Sequence, residues 1–258
     1  MREMTDGNAS AGGAADATLA AAEIARFATL ADRWWDPAGP MAPLHAMNPA
    51  RIGWIRAGIA DRFGASARPD LLDVGCGAGL AAEAFARAGH DVLGLDAGEA
   101  VIAAAERHAA GQDLSLRYRA GTLASLIAES AQFDAITAFE VIEHVPEPRG
   151  FLAELASLLA PGGVLVLSTL NRTRRSLVLG KFAAEYLLGW VPPGTHEWRR
   201  FLTPAEIEDG LGAVGLGLFD LAGMSFDPLR RRFYASSDVA INYLLAAFKP
   251  GPGISPSP

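Results

Sequence analysis

The sequence predicts an α/β fold, a mostly parallel sheet flanked by helices, and three observations carry that expectation. Apolar runs of strand length alternate with helical periods between about residues 71 and 168. The first of those runs ends in a glycine-rich turn, Asp73-Val74-Gly75-Cys76-Gly77-Ala78-Gly79. Asp96 closes the second run, at the spacing where a carboxylate can accept the hydroxyls of a ribose.

Taken in order, residues 17–34 read as a helix with apolar positions at Ile24, Phe27, Leu30 and Ala31, broken at Asp36-Pro37. A second helix is expected from about Pro49 to Phe63. Strand 71–74, helix 79–88, strand 91–95 and helix 98–110 then form two βα units. Strand 115–119, a short helix at 122–128, strand 133–139, helix 147–159 and strand 164–168 continue the alternation, with Pro161-Gly162-Gly163 as the last turn. Residues 171–201 interrupt it. A helix at 203–213 follows, with Thr203 as N-cap and Pro204 at the first helical position. Residues 215–222 read as one strand, and 235–248 as an apolar stretch of undecided type.

A chain of 258 residues, half of them apolar, can bury one full core with modest room for an insertion. The expected organisation is a disordered segment 1–16, one domain over 17–248 with insertion 171–201, and a flexible tail over 249–258. A net charge of −7 and scattered arginines exclude a broad nucleic-acid surface. No stretch approaches the ~20 apolar residues that span a bilayer, and no basic-then-apolar leader opens the sequence, so a cytoplasmic protein is expected. The single cysteine, Cys76, fits a reducing compartment and reads as a small turn residue rather than a nucleophile.

The alternating glycines Gly75, Gly77 and Gly79 let a ligand or a packed side chain approach the backbone. No basic residue stands in the turn to meet a pyrophosphate, and acidic Asp73 suits a cationic ligand. Glu140, Glu143 and His144 lie just past the strand 133–139, at the edge where open α/β sheets bind ligands. Such a set can bind a divalent cation or take a proton from a substrate hydroxyl; solvated loop residues are the plainer alternative. Arg51 can hold a carboxylate with two parallel hydrogen bonds, or form a surface ion pair. Trp34 and Trp35 line a pocket or anchor the first helix. In 171–201, Leu179, Phe182, Tyr186 and Trp190 recur at helical spacing beside Arg174, Arg175 and Lys181, as on an interfacial helix or a lid.

The DVGCGAG run resembles the first motif of class I S-adenosylmethionine-dependent methyltransferases. The longer pattern resembles the ubiquinone-biosynthesis O-methyltransferases: F-x-x-L-A-x-x-W-W-D at Phe27 to Asp36, L-H-x-x-N-P-x-R at Leu44 to Arg51, E-x-x-E-H-V at Glu140 to Val145 and S-T-L-N-R at Ser168 to Arg172. That resemblance implies a Rossmann-like fold with a seven-stranded sheet, an N-terminal helical cap and an inserted helical segment. It implies that Arg51, Gly75, Gly77, Asp96 and Phe139 contact S-adenosylmethionine. It implies a magnesium ion on Glu140, Glu143 and His144, with these three as the catalytic residues and His144 as the base in a metal-free version. The acceptor it implies is a phenolic hydroxyl of a polyprenylated catechol-type ring, with 171–201 at the lipid surface on the inner face of the membrane and a quinone-biosynthesis complex as partner. Two departures stand out: no acidic residue follows the third strand, where Ala120-Gly121-Thr122-Leu123 stands, and Leu229-Arg230-Arg231-Arg232-Phe233-Tyr234 is unexpectedly basic. Alternatives are a methyltransferase for another small phenol and a non-catalytic scaffold that binds S-adenosylmethionine.

Overall fold

The alternation expected from the sequence is present element by element in the computed structural model, which describes residues 24–177 and 198–251. Helix α1 (24–30) runs into a 3-10 turn, Ala31–Arg33, and α2 spans Ala42–Phe63. Then come β1 (Asp70–Val74), α3 (Leu80–Arg87), β2 (Asp91–Asp96), α4 (Glu99–Ala109), β3 (Leu116–Ala120), α5 (Leu123–Ala128), β4 (Phe133–Phe139), α6 (Pro148–Leu158) and β5 (Leu159–Leu170). After the interruption follow α7 (Pro204–Ala213), β6 (Gly217–Asp227), β7 (Arg232–Ser236) and β8 (Asn242–Phe248).

The strands form one sheet in the order β3-β2-β1-β4-β5-β8-β6-β7. The first five are mutually parallel, whereas β8 runs antiparallel to β5 and to β6, and β7 antiparallel to β6. Helices cover both faces, so the central strands are apolar on both sides: Leu71, Leu72, Ile136, Leu165 and Leu167 are fully buried. One core cluster joins β1, β4 and β5 to α5, α6 and α7, a second joins the sheet to α2 and α3, and a third packs Ala31, Trp34 and Met41 on Ala78, Val101 and Ala104. Chain order reverses between β1 and β4, which opens a crevice at their carboxyl ends.

Three boundaries differ from the sequence reading. Helix α2 begins at Ala42, seven residues before Pro49, with Pro43 in its first turn. Pro49 lies inside it and removes one internal hydrogen bond, a cost offset by tertiary contacts of the same turn described below. Strand β5 takes in Pro161-Gly162-Gly163 as an irregularity between the pairs Phe133↔Leu159 and Ala135↔Val164. Among the described residues the sheet has eight strands rather than seven, because β6 continues past Ala222 and turns back as β7. Asp227 sets that turn by accepting from the backbone N–H groups of Leu229 and Arg230.

Thr203 caps α7 as expected, its hydroxyl accepting from the Glu206 N–H while the Glu206 carboxylate accepts from the Thr203 N–H. Lys249, assigned to the tail from sequence, is tied to the core: its ammonium donates to the carbonyls of Ala156 and Leu159. The expected loose segment 1–16, the residues from 252 onward and most of the insertion, 178–197, lie outside the described residues. No described helix is long and apolar enough to cross a membrane.

Candidate active site

A cavity of about 460 Å³ lies at the carboxyl ends of β1, β2 and β4. Arg51, Gly75, Asp96, Phe139, Glu140 and His144, all singled out from sequence, line it. Gly77 and Glu143 do not. Sequence reasoning missed Asn48, from α2, and Glu154, from α6, because both reach the cavity only through tertiary packing. Gly121 and Thr122 stand at the wall after β3, where a main-chain or hydroxyl contact would take the place of the missing acid.

The glycine turn does two jobs. Gly75, Gly77 and Gly79 all have positive φ, +66°, +54° and +89°, which only glycine adopts freely. A Cβ on Gly75 would fall inside the Val141 side chain, and one on Gly77 inside the Trp34 indole. Gly77 is thus packed closely on Trp34, and its N–H donates to Asp96 Oδ2 at 3.0 Å. The Gly98 N–H donates to Asp96 Oδ1 at 2.8 Å. Asp96 thus braces the turn while its oxygens keep lone pairs for a ligand. The Cys76 thiol is buried, and burial pushes its pKa well up, which disfavours the thiolate.

Helix α2 brings three residues of its motif to one face at a spacing of three. His45 Nε2 meets the Trp34 carbonyl at 2.9 Å, and Asn48 Nδ2 donates to the Leu80 carbonyl at 3.0 Å. Arg51, a turn further, is buried with its guanidinium 4.8 Å from the Phe139 ring centroid and 3.3 Å from Glu140 Oε1. Desolvation lowers its pKa against the pull of Glu140, Asp73 and Glu143. Trp35 donates to the Ala78 carbonyl and stacks on His108 with ring centroids 3.5 Å apart, so one tryptophan of the pair anchors while Trp34 also lines the cavity.

Three residues lining the cavity hold a buried polar atom with no hydrogen-bond partner: Trp34 Nε1, Arg51 Nε and Asp73 Oδ2. Each such orphan costs about 1–3 kcal/mol. A cation-seeking carboxylate and an anion-seeking guanidinium, facing one cavity, suit a zwitterionic ligand that satisfies both.

Burial raises the Asp73 pKa to about 7 although Thr137 Oγ1 donates to its other oxygen at 2.7 Å. Burial and the neighbouring Glu140 raise that of Glu143 to about 8. A carboxyl raised above its unfolded value near 4 holds its proton in the folded state and releases it in the unfolded one. These two groups therefore favour folding most below pH 4 and progressively less up to pH 7–8. Thermal melts of the ligand-free protein from pH 4 to 8 should show Asp73→Asn gaining on the parent as pH rises. Parallel curves would mean that Asp73 titrates normally.

Glu140 follows β4 with φ +55°, a left-handed conformation that costs a non-glycine residue about 1 kcal/mol or more. Its N–H donates to the Ser168 carbonyl, and its Oε1 accepts from Arg51 and, at 2.8 Å, from Ser168 Oγ. Glu143 stands behind it, 6% exposed, with Oε2 unpartnered. His144 is half-buried on the cavity wall.

The three-residue magnesium set expected from the family pattern is not gathered: among the described residues no group of three His, Cys, Asp or Glu side chains could hold a metal ion as they stand. The physical reason is that Glu140 turns its carboxylate to Arg51 and Ser168. Glu140 and His144 are nonetheless both close enough to act on Glu143, Glu140 raising its pKa and His144 lowering it. That donor chemistry, with one buried oxygen unpartnered, fits a hard cation once Glu140 exchanges its present partners.

A family described as "Methyltransferase domain" matches residues 72–167. Among solved structures, magnesium protoporphyrin IX methyltransferase from Synechocystis PCC 6803 with bound S-adenosylmethionine has a TM-score of 0.58 at 22% identity, over 84% of this chain and 90% of that one. A possible histamine N-methyltransferase from Thermotoga maritima reaches 0.62 at 14% identity, over 87% and 98%. These likenesses establish the class I methyltransferase fold. Curated relatives are much nearer in sequence. The ubiquinone biosynthesis O-methyltransferase of Azorhizobium caulinodans is 43% identical over 90% of this chain and 94% of its own length, and that of Caulobacter vibrioides 45% over 88% and 94%. With identity of this order across nine-tenths of its length, the chain belongs to the ubiquinone biosynthesis O-methyltransferase family.

Proposed function

We propose that this chain transfers the methyl group of S-adenosylmethionine to phenolic hydroxyls of polyprenylated catechol-type rings, 2-polyprenyl-6-hydroxyphenol and 3-demethylubiquinol, in ubiquinone assembly. The observation that carries this reading is the single cavity that presents Asp96, Asp73, Arg51, Glu140 and His144 together. Asp96 would accept the ribose hydroxyls, Arg51 and Asp73 the carboxylate and ammonium of the methionyl part, and Phe139 would pack on the adenosyl moiety. The sulfonium is already an activated methyl donor, so the protein has to align the phenol oxygen in line with it and remove the phenol proton. His144, which lines the same cavity as Glu140, would take that proton.

A magnesium ion, held by Glu140, Glu143 and His144, would supply Lewis-acid polarisation of the catechol oxygens. Methyl transfer from labelled S-adenosylmethionine to a short-chain polyprenyl catechol, with EDTA and with added magnesium, tests both points. Product lost to EDTA and restored by magnesium supports enzyme and metal; product indifferent to chelation keeps the enzyme and discards the metal. No product with confirmed cofactor binding would point to another phenol or to the scaffold reading.

Removing Arg51 takes away charge-assisted hydrogen bonds worth about 1.5–3 kcal/mol, so Arg51→Met should weaken S-adenosylmethionine binding about 10- to 100-fold by calorimetry. The same change should also lower the melting temperature of the ligand-free protein, since it strips Glu140 of its ion-pair partner and leaves Asp73 and Glu143 without a compensating cation.

The membrane-facing role of 171–201, the inner-face location and a quinone-biosynthesis complex belong to the same proposal and rest on the sequence of that segment, of which 178–197 lie outside the described residues. Flotation with liposomes, with and without residues 172–191, tests the first.

A further inference from the structure

The basic run that the sequence left unexplained forms the tip of the β6–β7 hairpin, and its place in the sheet is informative. Ser168 of β5 pairs with Leu244, which pairs with Ala222 of β6, so Ala222 stands level with the carboxyl edge where Glu140 sits. Strand β6 continues to Asp227, roughly 15 Å of chain beyond that edge. The hairpin therefore projects from the cavity side of the sheet.

Its surface is both apolar and cationic. Leu229 at the turn is 94% exposed, Phe226 49% and Tyr234 46%. Arg230, Arg231 and Arg232 are exposed between them, in a chain whose net charge is −7. Phe226, Asp227, Pro228, Arg230, Arg232 and Tyr234 surround a recess of about 420 Å³. Contacts within the hairpin brace the tip: Phe226 pairs with Phe233 across the strands with ring centroids 5.0 Å apart, Ser225 and Ser236 share a hydrogen bond of 2.8 Å, and Asp227 holds the turn and the Arg230 guanidinium. Arginines on an edge strand also discourage self-association, but that task has no use for a leucine held almost wholly in water at the turn.

We propose that this hairpin tip is a docking element for an anionic phospholipid surface, with Leu229 entering the interface and the arginines meeting headgroup phosphates. Docking there turns the carboxyl edge, and with it the cavity mouth, toward the bilayer. The benefit of that orientation, though not the binding, rests on the polyprenylated acceptor proposed above.

The test uses the full chain and vesicles of phosphatidylcholine with or without one quarter phosphatidylglycerol. The unmodified chain should float with the anionic vesicles and lose binding in high salt. A variant carrying Leu229→Ser, Arg231→Ser and Arg232→Ser should bind at least about 25-fold more weakly, at roughly fivefold for each arginine. It should keep methyl transfer to a tail-free soluble catechol, which certifies its fold. As a second readout, Leu229→Cys labelled with an environment-sensitive dye should blue-shift on anionic vesicles, the one other cysteine being buried. Variant binding within about threefold of the parent, or no spectral shift, overturns the proposal and leaves the tip to a protein partner. Absent methyl transfer by the unmodified chain, with the vesicle results as expected, would instead sink the functional reading and leave the docking site standing.

Discussion

Combining Glu140→Ala with His144→Ala should remove methyl transfer, by about 10²–10⁴-fold for loss of proton removal alone, while S-adenosylmethionine still binds. The basis is geometric. Both residues line the cavity, and Glu140 is held there in a left-handed conformation by bonds from Arg51 and Ser168. Conformational cost of that kind survives where the surroundings over-determine the residue, and it concentrates at working sites. Glu140→Gly supplies the control: it loses the carboxylate as alanine does but accepts φ +55° freely, so it should melt above Glu140→Ala and be equally inactive. Full activity in the double variant would remove this cluster from the mechanism. Activity lost together with cofactor binding would assign it to positioning Arg51 instead.

The largest structural effect should come from Gly75→Ala. The new methyl meets a left-handed backbone at φ +66°, about 1–2 kcal/mol, and overlaps the Val141 side chain, about 1–3 kcal/mol more. For a chain of this size the melting temperature should fall by roughly 5–15 °C. The clash also pushes on the residue after Glu140, so cofactor binding and catalysis should fall together. Gly75→Ala with Val141→Ala separates the two causes. Relief of the overlap should recover part of the stability and leave the conformational share; no recovery would mean that the backbone alone accounts for the loss.

Much of the fold was legible because its signals are local. The βα alternation from Leu71 to Ser168 is written in short apolar runs and helical periods, and each appears within a few residues of its expected bounds. Misplaced boundaries trace to residues whose local preference was overridden. Pro49 reads as a helix start, yet it sits inside α2 because His45, Asn48 and Arg51 are held by Trp34, Leu80 and the cavity. The run Leu229 to Tyr234, given no element from sequence, is the tip and first residues of an edge strand, registered by Asp227 and by pairing with β6.

The sequence by itself determined the class of fold, the ligand edge and the six of the eight expected site residues that stand on the cavity wall, because motifs at strand ends are bound to converge once the sheet is parallel. Tertiary structure alone decided how those residues divide the work. Gly77 lies close under the Trp34 indole, Asp73 keeps a buried oxygen without a partner, and the Glu140 carboxylate is engaged by Arg51 and Ser168. Those outcomes depend on distances between side chains that are far apart in the chain, and on desolvation that only a closed core imposes, neither of which spacing along a sequence contains.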